Sequence, residues 1–194
     1  MCIRDSLSTV AQKPEHPYVV VLGGAKVSDK LGVIEALADK ADKVIIGGGM
    51  CYTLLAAKGY NVQESLLQED QIDNCKELLE RFGDKLVLPV DLIAASKFAA
   101  DAEHQVVELD GIPEGWMSLD IGPKSVEHFA EVLASSKTVF WNGPMGVFEM
   151  EAFSKGTAGV AQAIIDATEN NGSFSVVGGG DSAASVRMLS LIHI

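Results

Sequence analysis

Lys26 and Lys30 stand four residues apart, just past a glycine pair, in the stretch YVVVLGGAKVSDK that runs from Tyr18 to Lys30. On a helix this spacing puts both side chains on one face, so both ammonium groups can reach past the same helix end toward an anion. The elements around them must make that possible. Tyr18, Val19, Val20, Val21 and Leu22 form an apolar, β-branched run that reads as a strand buried on both faces, and Gly23-Gly24 breaks it into an amphipathic segment. Strand, glycine turn and helix make a phosphate site in outline. Glycines let the backbone approach a ligand with no Cβ in the way, and a helix N-terminus presents unpaired N–H groups. The same residues also fit a plain βα turn with two solvated lysines, and this stretch alone leaves both readings open.

Two carboxylates add to the picture. Gly178, Gly180 and Ala183 meet the relaxed dinucleotide fingerprint G-x-G-x-x-A after the apolar run Phe174 to Val177. Asp181 would then sit inside the turn that should hold a pyrophosphate, where a bare carboxylate repels it; a divalent cation between the two reverses the sign. Asp181 reads as a Mg²⁺ partner of a nucleotide or as a helix cap. The segment Val139 to Phe153, VFWNGPMGVFEMEAF, carries the other carboxylate. Asn142 ends a strand with an amide that can hydrogen-bond, Pro144 and Gly146 fix a turn, and Glu149 follows where it can accept two ribose hydroxyls or simply be solvated. The P-loop pattern G-x-x-x-x-G-K-[ST] occurs nowhere, and the four histidines (His16, His104, His128, His193) are scattered, so a histidine mechanism has no visible support.

These residues sit on an alternation of strands and helices. The lead-in Met1 to Pro17 carries no periodic pattern. After Gly23-Gly24, Val27, Leu31, Ile34 and Leu37 repeat at helical spacing; Lys43 to Ile46 is a strand running into Gly47-Gly48-Gly49; Met50 to Lys58 and Asp70 to Phe82 are helical; and Leu86 to Val90 is a strand closed by Asp91. Ile93 to Asp120 is less regular, an excursion in which Gln105 to Leu109 alternates like a strand. A helix carrying Val126, Phe129, Ala130 and Leu133 follows, its N-cap at Ser125 or just before it; then come a strand at Thr138 to Trp141, a helix from about Phe153 to Ala167, and the last strand. The expected fold is α/β: a doubly wound, mostly parallel sheet with helices on both faces. Ligands of such sheets lie outside the carboxyl ends of the strands. Four glycine-bearing strand ends meet that description, at Gly23, Gly47, Gly143 and Gly178, and they suggest a surface cleared of side chains for a flat or highly charged ligand.

Composition narrows the partners. At 194 residues, against a prior of roughly 150 per domain, the chain is read as one domain. Fifteen Lys+Arg against 27 Asp+Glu give a net charge of -12, which disfavours nucleic acid and acidic membranes. The three cysteines, Cys2, Cys51 and Cys75, form no C-x-x-C pair and suggest neither a disulfide framework nor a zinc site, so a reducing cytoplasm is expected. No run of 18 apolar residues and no signal-like segment is seen, which reads as a soluble, unsecreted chain.

GGAKVSDK, IIGGGM, LDIGPKS, WNGPMGVFEMEAF and VVGGGDSAA occur in this order, and together they resemble the nucleotide-binding, C-terminal domain of phosphoglycerate kinase, over about Pro17 to Leu189. The resemblance implies phosphoryl transfer between 1,3-bisphosphoglycerate and ADP, giving 3-phosphoglycerate and MgATP in glycolysis, by a cytoplasmic monomer. It implies that Lys26 and Lys30 contact nucleotide phosphates, with Lys30 nearest the transferred group and Gly180 beside it. Gly23, Gly24 and Ala25 would join them; Gly48, Ser118 and Leu119 would line the adenine pocket; Asn142, Pro144, Gly146 and Val147 would continue the site; and Glu149 would hold the ribose. Gly178, Gly179, Gly180, Asp181 and Ser182 would wrap the phosphates, with Asp181 on Mg²⁺. Ser118 stands where the family usually has glycine, so its hydroxymethyl group is expected to intrude on the adenine pocket. The family's N-terminal half, which holds the acid substrate, has no counterpart in the motifs, nor has its final glycine-rich segment. The expected organisation is an irregular lead-in over 1–17, a nucleotide-binding domain over 18–189 that is incomplete at its C-terminal end, and non-native ends at 1–6 and 190–194. A non-catalytic adenine-nucleotide-binding module is the competing reading, and an NAD-linked oxidoreductase domain a third.

Overall fold

A computed structural model describes residues 13–188; the expectations for the two chain ends lie outside them. In chain order the elements are β1 (Tyr18–Leu22), α1 (Leu31–Ala38), β2 (Lys43–Ile46), α2 (Met50–Ala57), α3 (Ile72–Phe82), β3 (Leu86–Val87), β4 (Asp91–Ala95), β5 (His104–Glu108), β6 (Met117–Ile121), α4 (Pro123–Ala134), β7 (Thr138–Asn142), α5 (Lys155–Asn171), β8 (Phe174–Gly178) and α6 (Gly180–Met188).

Five strands form one sheet in the order β3-β2-β1-β7-β8, every neighbouring pair parallel. The central strand β1 is buried along its whole length. Its alternate residues divide between two cores, as a pleated strand requires. Tyr18, Val20 and Leu22 pack with Ile34, Leu54 and Leu78 on one face, while Val19 and Val21 pack with Phe129, Leu133, Val160 and Ile164 on the other. The sheet is therefore covered on both faces, and the doubly wound α/β class stands.

The register brings the carboxyl ends together. Leu22 pairs with Ile46 on one side and Asn142 on the other, and Asn142 pairs with Gly178. The chain leaves β1 toward β2 and later returns to the opposite side at β7, so the topological switch lies between β1 and β7.

Some glycines at this edge are required by the packing of the loops themselves. A Cβ on Gly23 would lie 2.0 Å from the Pro144 carbonyl oxygen, and one on Gly48 would lie 2.6 Å from the Gly24 nitrogen. The loops are interlaced by hydrogen bonds from Gly23 N to Asn142 O (2.9 Å), Gly47 N to Leu22 O (2.9 Å), Gly48 N to Met145 O (3.0 Å) and Met50 N to Gly24 O (3.0 Å). At Gly23 and Gly48 a side chain is excluded because three loops touch one another. Gly180, by contrast, has nothing within 4 Å of a built Cβ and faces open space.

The middle of the chain departs from the sequence reading. β3 ends at Val87, before Pro89, which has no N–H to give a sheet ladder. Asp91 opens a new strand instead of closing the old one. The excursion is a three-stranded antiparallel sheet, β5-β4-β6, with a register shift between Ile93 and Ala94. α4 begins at Gly122-Pro123, and Ser125 lies inside its first turn. The cap comes from Asp91, whose buried carboxylate accepts from Ser125 N (2.7 Å) and Lys124 N (3.0 Å). α1 begins only at Leu31, with Lys30 at its N-cap.

Candidate functional site

At the carboxyl edge of the large sheet lies a cleft of about 500 Å³. Its floor is the glycine loops, through Gly24, Ala25, Gly48 and Gly49. One wall is the segment after β7 (Pro144, Gly146, Val147, Phe148, Glu149), and the other is β6 of the small sheet, through Met117, Ser118 and Leu119. The walls are joined by a hydrogen bond from Val147 N to Leu119 O of 2.9 Å. Asp181 enters from the first turn of α6, and Tyr52, Glu64, Leu66 and Phe98 complete the lining.

Ten of the residues expected at the site therefore line the cleft: Gly24, Ala25, Gly48, Ser118, Leu119, Pro144, Gly146, Val147, Glu149 and Asp181. Gly23, Asn142, Gly178, Gly179, Gly180 and Ser182 are not part of that lining; Gly23 and Asn142 lie in the interlocked loops, and Gly180 and Ser182 in the first turn of α6. Lys26 is exposed, outside the lining. Because α1 starts after Lys30, the two lysines do not share a helical turn, and the expected pairing on one helix face is not formed.

Lys30 turns inward. Its Nζ donates to Gly23 O (2.6 Å), Asn142 O (3.0 Å) and Asn142 Oδ1 (2.6 Å), which takes up all three ammonium protons. Burial holds its pKa below the ordinary lysine value, partly offset by the negative charges of Asp181 and Asp29. Asn142 passes the tie onward, donating from Nδ2 to Gly178 O (3.0 Å), and Gly143 N donates to Ser182 Oγ (2.6 Å). Lys30, the end of β7 and the β8–α6 turn thus form one hydrogen-bonded unit.

Among the described residues the cleft carries three carboxylates, Glu64, Glu149 and Asp181, and no lysine or arginine. Glu149 and Asp181 are both exposed and make no hydrogen bond among the described residues. Asp181 therefore does not act as a side-chain cap of α6. Among the described residues no group of three or more His, Cys, Asp or Glu could cage a metal. A lone exposed carboxylate fits Mg²⁺, which is commonly held by one or two carboxylates together with substrate phosphates and water. Ser118 is 2% exposed, and its hydroxyl lies 3.4 Å from Ile93 O and 3.3 Å from Asp120 O, so it is engaged with the sheet and not extended into the cleft.

Sequence reasoning missed Phe98 and Leu66. They are 61% and 47% exposed at the cleft. Both stand on loops without periodicity, so only the fold brings them to the cleft. Tyr52 was hidden in the apolar face of α2.

Fold and site together define a doubly wound α/β domain with a partly apolar, carboxylate-bearing cleft at its strand ends. The family model described as phosphoglycerate kinase matches residues 4–193, wider than the stretch carrying the motifs, and the chain belongs to the phosphoglycerate kinase family. It is 84% identical over 187 residues to the phosphoglycerate kinase of Corynebacterium aurimucosum, covering 96% of this chain and 46% of that protein. It is 75% identical over 185 residues to that of Corynebacterium efficiens, covering 95% and 46%. The solved phosphoglycerate kinase of Coxiella burnetii superposes with a TM-score of 0.92 at 39% identity, covering 97% of this chain and 48% of that one. The chain thus spans about half the length of the curated relatives it matches. No helix among the described residues is long and apolar enough to cross a membrane.

Proposed function

We propose that the cleft binds MgADP and MgATP and that this chain supplies the nucleotide half-site for phosphoryl transfer between 1,3-bisphosphoglycerate and ADP. The observation that carries the reading is the pair Glu149 and Asp181, two exposed carboxylates with no hydrogen-bond partner among the described residues, both lining a partly apolar cleft. Adenine lies against Leu119 and Val147, with Phe98 and Leu66 also lining its pocket. Glu149 accepts the ribose hydroxyls. Asp181 holds Mg²⁺, which when bound neutralises phosphate charge at the mouth of α6.

The chain's own residues then do the positioning. The N-terminus of α6 and the turn Gly178-Gly179-Gly180, exposed at Gly179 and Gly180, offer N–H groups to the phosphates, and Ser182 holds Gly143 in place. Lys30 and Lys26 supply positive charge to the transferred group; phosphoryl transfer asks for charge and alignment and needs no covalent intermediate. To act, Lys30 leaves Asn142 and Gly23 for the phosphate. The acid substrate is held by the other half of the family's chain, so the isolated chain is inactive in turnover. A monomer in the cytoplasm, without nucleic-acid or membrane partners, completes the reading.

The competing reading, a non-catalytic adenine-nucleotide-binding module, is favoured by one observation: the Lys30 ammonium is saturated by main-chain and amide oxygens. Calorimetric titration with MgADP and with NAD tests the shared part of both readings. Saturable MgADP binding without NAD binding is expected; the reverse would mark an oxidoreductase domain.

A further inference from the structure

Asp120 is a carboxylate with no exposed surface that the proposed chemistry does not use. It lies in β6, one residue past Leu119 of the cleft wall. Its Oδ1 accepts from Ile121 N (2.9 Å) and its Oδ2 from Gly156 N (2.8 Å). Gly156 is the second residue of α5, a helix whose own N-cap, Ser154, makes no side-chain cap. Asp120 supplies that cap from another sheet, with its charge at the positive end of a 17-residue helix. The same carboxylate supports the cleft wall: a Cβ on Gly146 would lie 2.2 Å from its Oδ1. Flanking ties run from Val147 N to Leu119 O (2.9 Å) and from Met145 N to Thr157 Oγ1 (3.0 Å). Glu149 follows three residues after Gly146.

Resting on the proposed nucleotide site, we propose that Asp120 is a positioning residue: its ionised carboxylate locks the first turn of α5 and the Gly146 backbone to β6, fixing where Glu149 and the Pro144–Val147 wall meet the nucleotide. Only the ionised form accepts at both oxygens. A protonated carboxyl presents an O–H in place of one acceptor and opposes an N–H donor, so the clamp loosens. Burial pushes the carboxyl up to about 7, which brings both forms within reach of neutral pH. The titratable groups on the elements around it are Cys51 and Tyr52 of α2, whose thiol and phenol burial pushes upward and keeps neutral, the buried carboxylate of Asp91 on the paired strand β4, which is tied to the first turn of α4, then Glu149, Glu151 and Lys155 around the α5 entry, and His104 of β5, whose ring meets Phe153 edge-on at 5.4 Å.

The test measures the MgADP dissociation constant of the 194-residue chain at pH 6 and pH 8 for wild type, Asp120→Asn, His104→Gln and Glu149→Ala. Taking the ratio of variant to wild type at each pH cancels the titration of ADP itself. For Asp120→Asn the ratio should be near one at pH 6 and about fivefold at pH 8, the equivalent of about 1 kcal/mol. His104→Gln should keep the wild-type profile. An equal ratio at both pH values for Asp120→Asn, with wild type binding and Glu149→Ala weakened, overturns the positioning role alone. No saturable binding by wild type overturns the nucleotide reading and this inference with it. Should Asp120→Asn not fold, wild type is titrated with adenosine, which has no phosphate to titrate; affinity that fails to rise from pH 6 to pH 8 then overturns the proposal.

Discussion

Asp120 also sets a pH dependence of stability whose sign is opposite to the usual one for a carboxylate. Its pKa is raised from 3.8 to about 7, first by burial, with the hydrogen bonds from Gly156 N and Ile121 N pulling the other way. The folded state therefore binds the proton more tightly than the unfolded state. Stability from this group is fully present below the unfolded value and is lost as pH rises from about 4 to about 7, the window in which the folded chain holds a proton that the unfolded chain has released. At 1.36 kcal/mol per pH unit, the loss between pH 4.5 and pH 8 amounts to about 3 kcal/mol. Asp120→Asn removes this titration, and its amide, like the protonated carboxyl, accepts from only one of the two N–H donors. Urea denaturation of wild type and variant at several pH values reads the difference directly, because all other titrations cancel between them. The variant should gain on wild type by about 3 kcal/mol from pH 4.5 to pH 8. Parallel stability curves would refute the argument. A carboxylate that destabilises the fold where it is ionised, yet clamps the cleft wall in that same form, is stability given up at a functional site.

Further expectations concern single residues. Glu149→Ala should weaken MgADP binding by roughly 1 to 3 kcal/mol, the loss of hydrogen bonds to a charged acceptor, and calorimetry showing equal affinity would remove Glu149 from the ribose. Asp181→Asn should weaken MgATP binding more than metal-free ATP binding; equal losses with and without EDTA would separate Asp181 from the metal. Gly23→Ala should destabilise the chain by roughly 1 to 3 kcal/mol, because its Cβ would lie 2.0 Å from Pro144 O, and an unchanged denaturation midpoint would deny the interlocked loops their role.

The central part of the fold was legible because buried parallel strands are written as short apolar runs. Tyr18–Leu22, Lys43–Ile46, Thr138–Trp141 and Phe174–Val177 each became a strand, within a residue at the ends. Of the small sheet only β5 was legible, in the alternation of Gln105 to Leu109; Leu86 to Val90 reads as one strand closed by Asp91, although Pro89 divides it and Asp91 opens β4. The helix caps were hidden for a different reason. Asp91 caps α4 across 34 positions, and Asp120 caps α5 across 36, so neither leaves a local signature beside its helix. At the site, glycine runs marked the right edge of the sheet, but they could not tell clearance for a ligand from clearance for a neighbouring loop. The inward turn of Lys30 depends on α1 starting at Leu31, and the apolar repeat from Val27 gave no sign of that late start.

The claim that this chain holds the nucleotide half of a phosphoryl-transfer site is tested most directly by turnover. The assay couples ATP formation from 1,3-bisphosphoglycerate and ADP, first with the chain alone, then with the chain joined to the remaining segments of a relative. Alone it should give no detectable turnover, because aligning the two substrates is worth roughly 7 to 11 kcal/mol of barrier. The joined protein should turn over, and Lys30→Ala in it should lower kcat by roughly 10² to 10³ while changing nucleotide affinity much less. Robust turnover by the chain alone, or an unchanged kcat in the Lys30→Ala protein, would contradict the account.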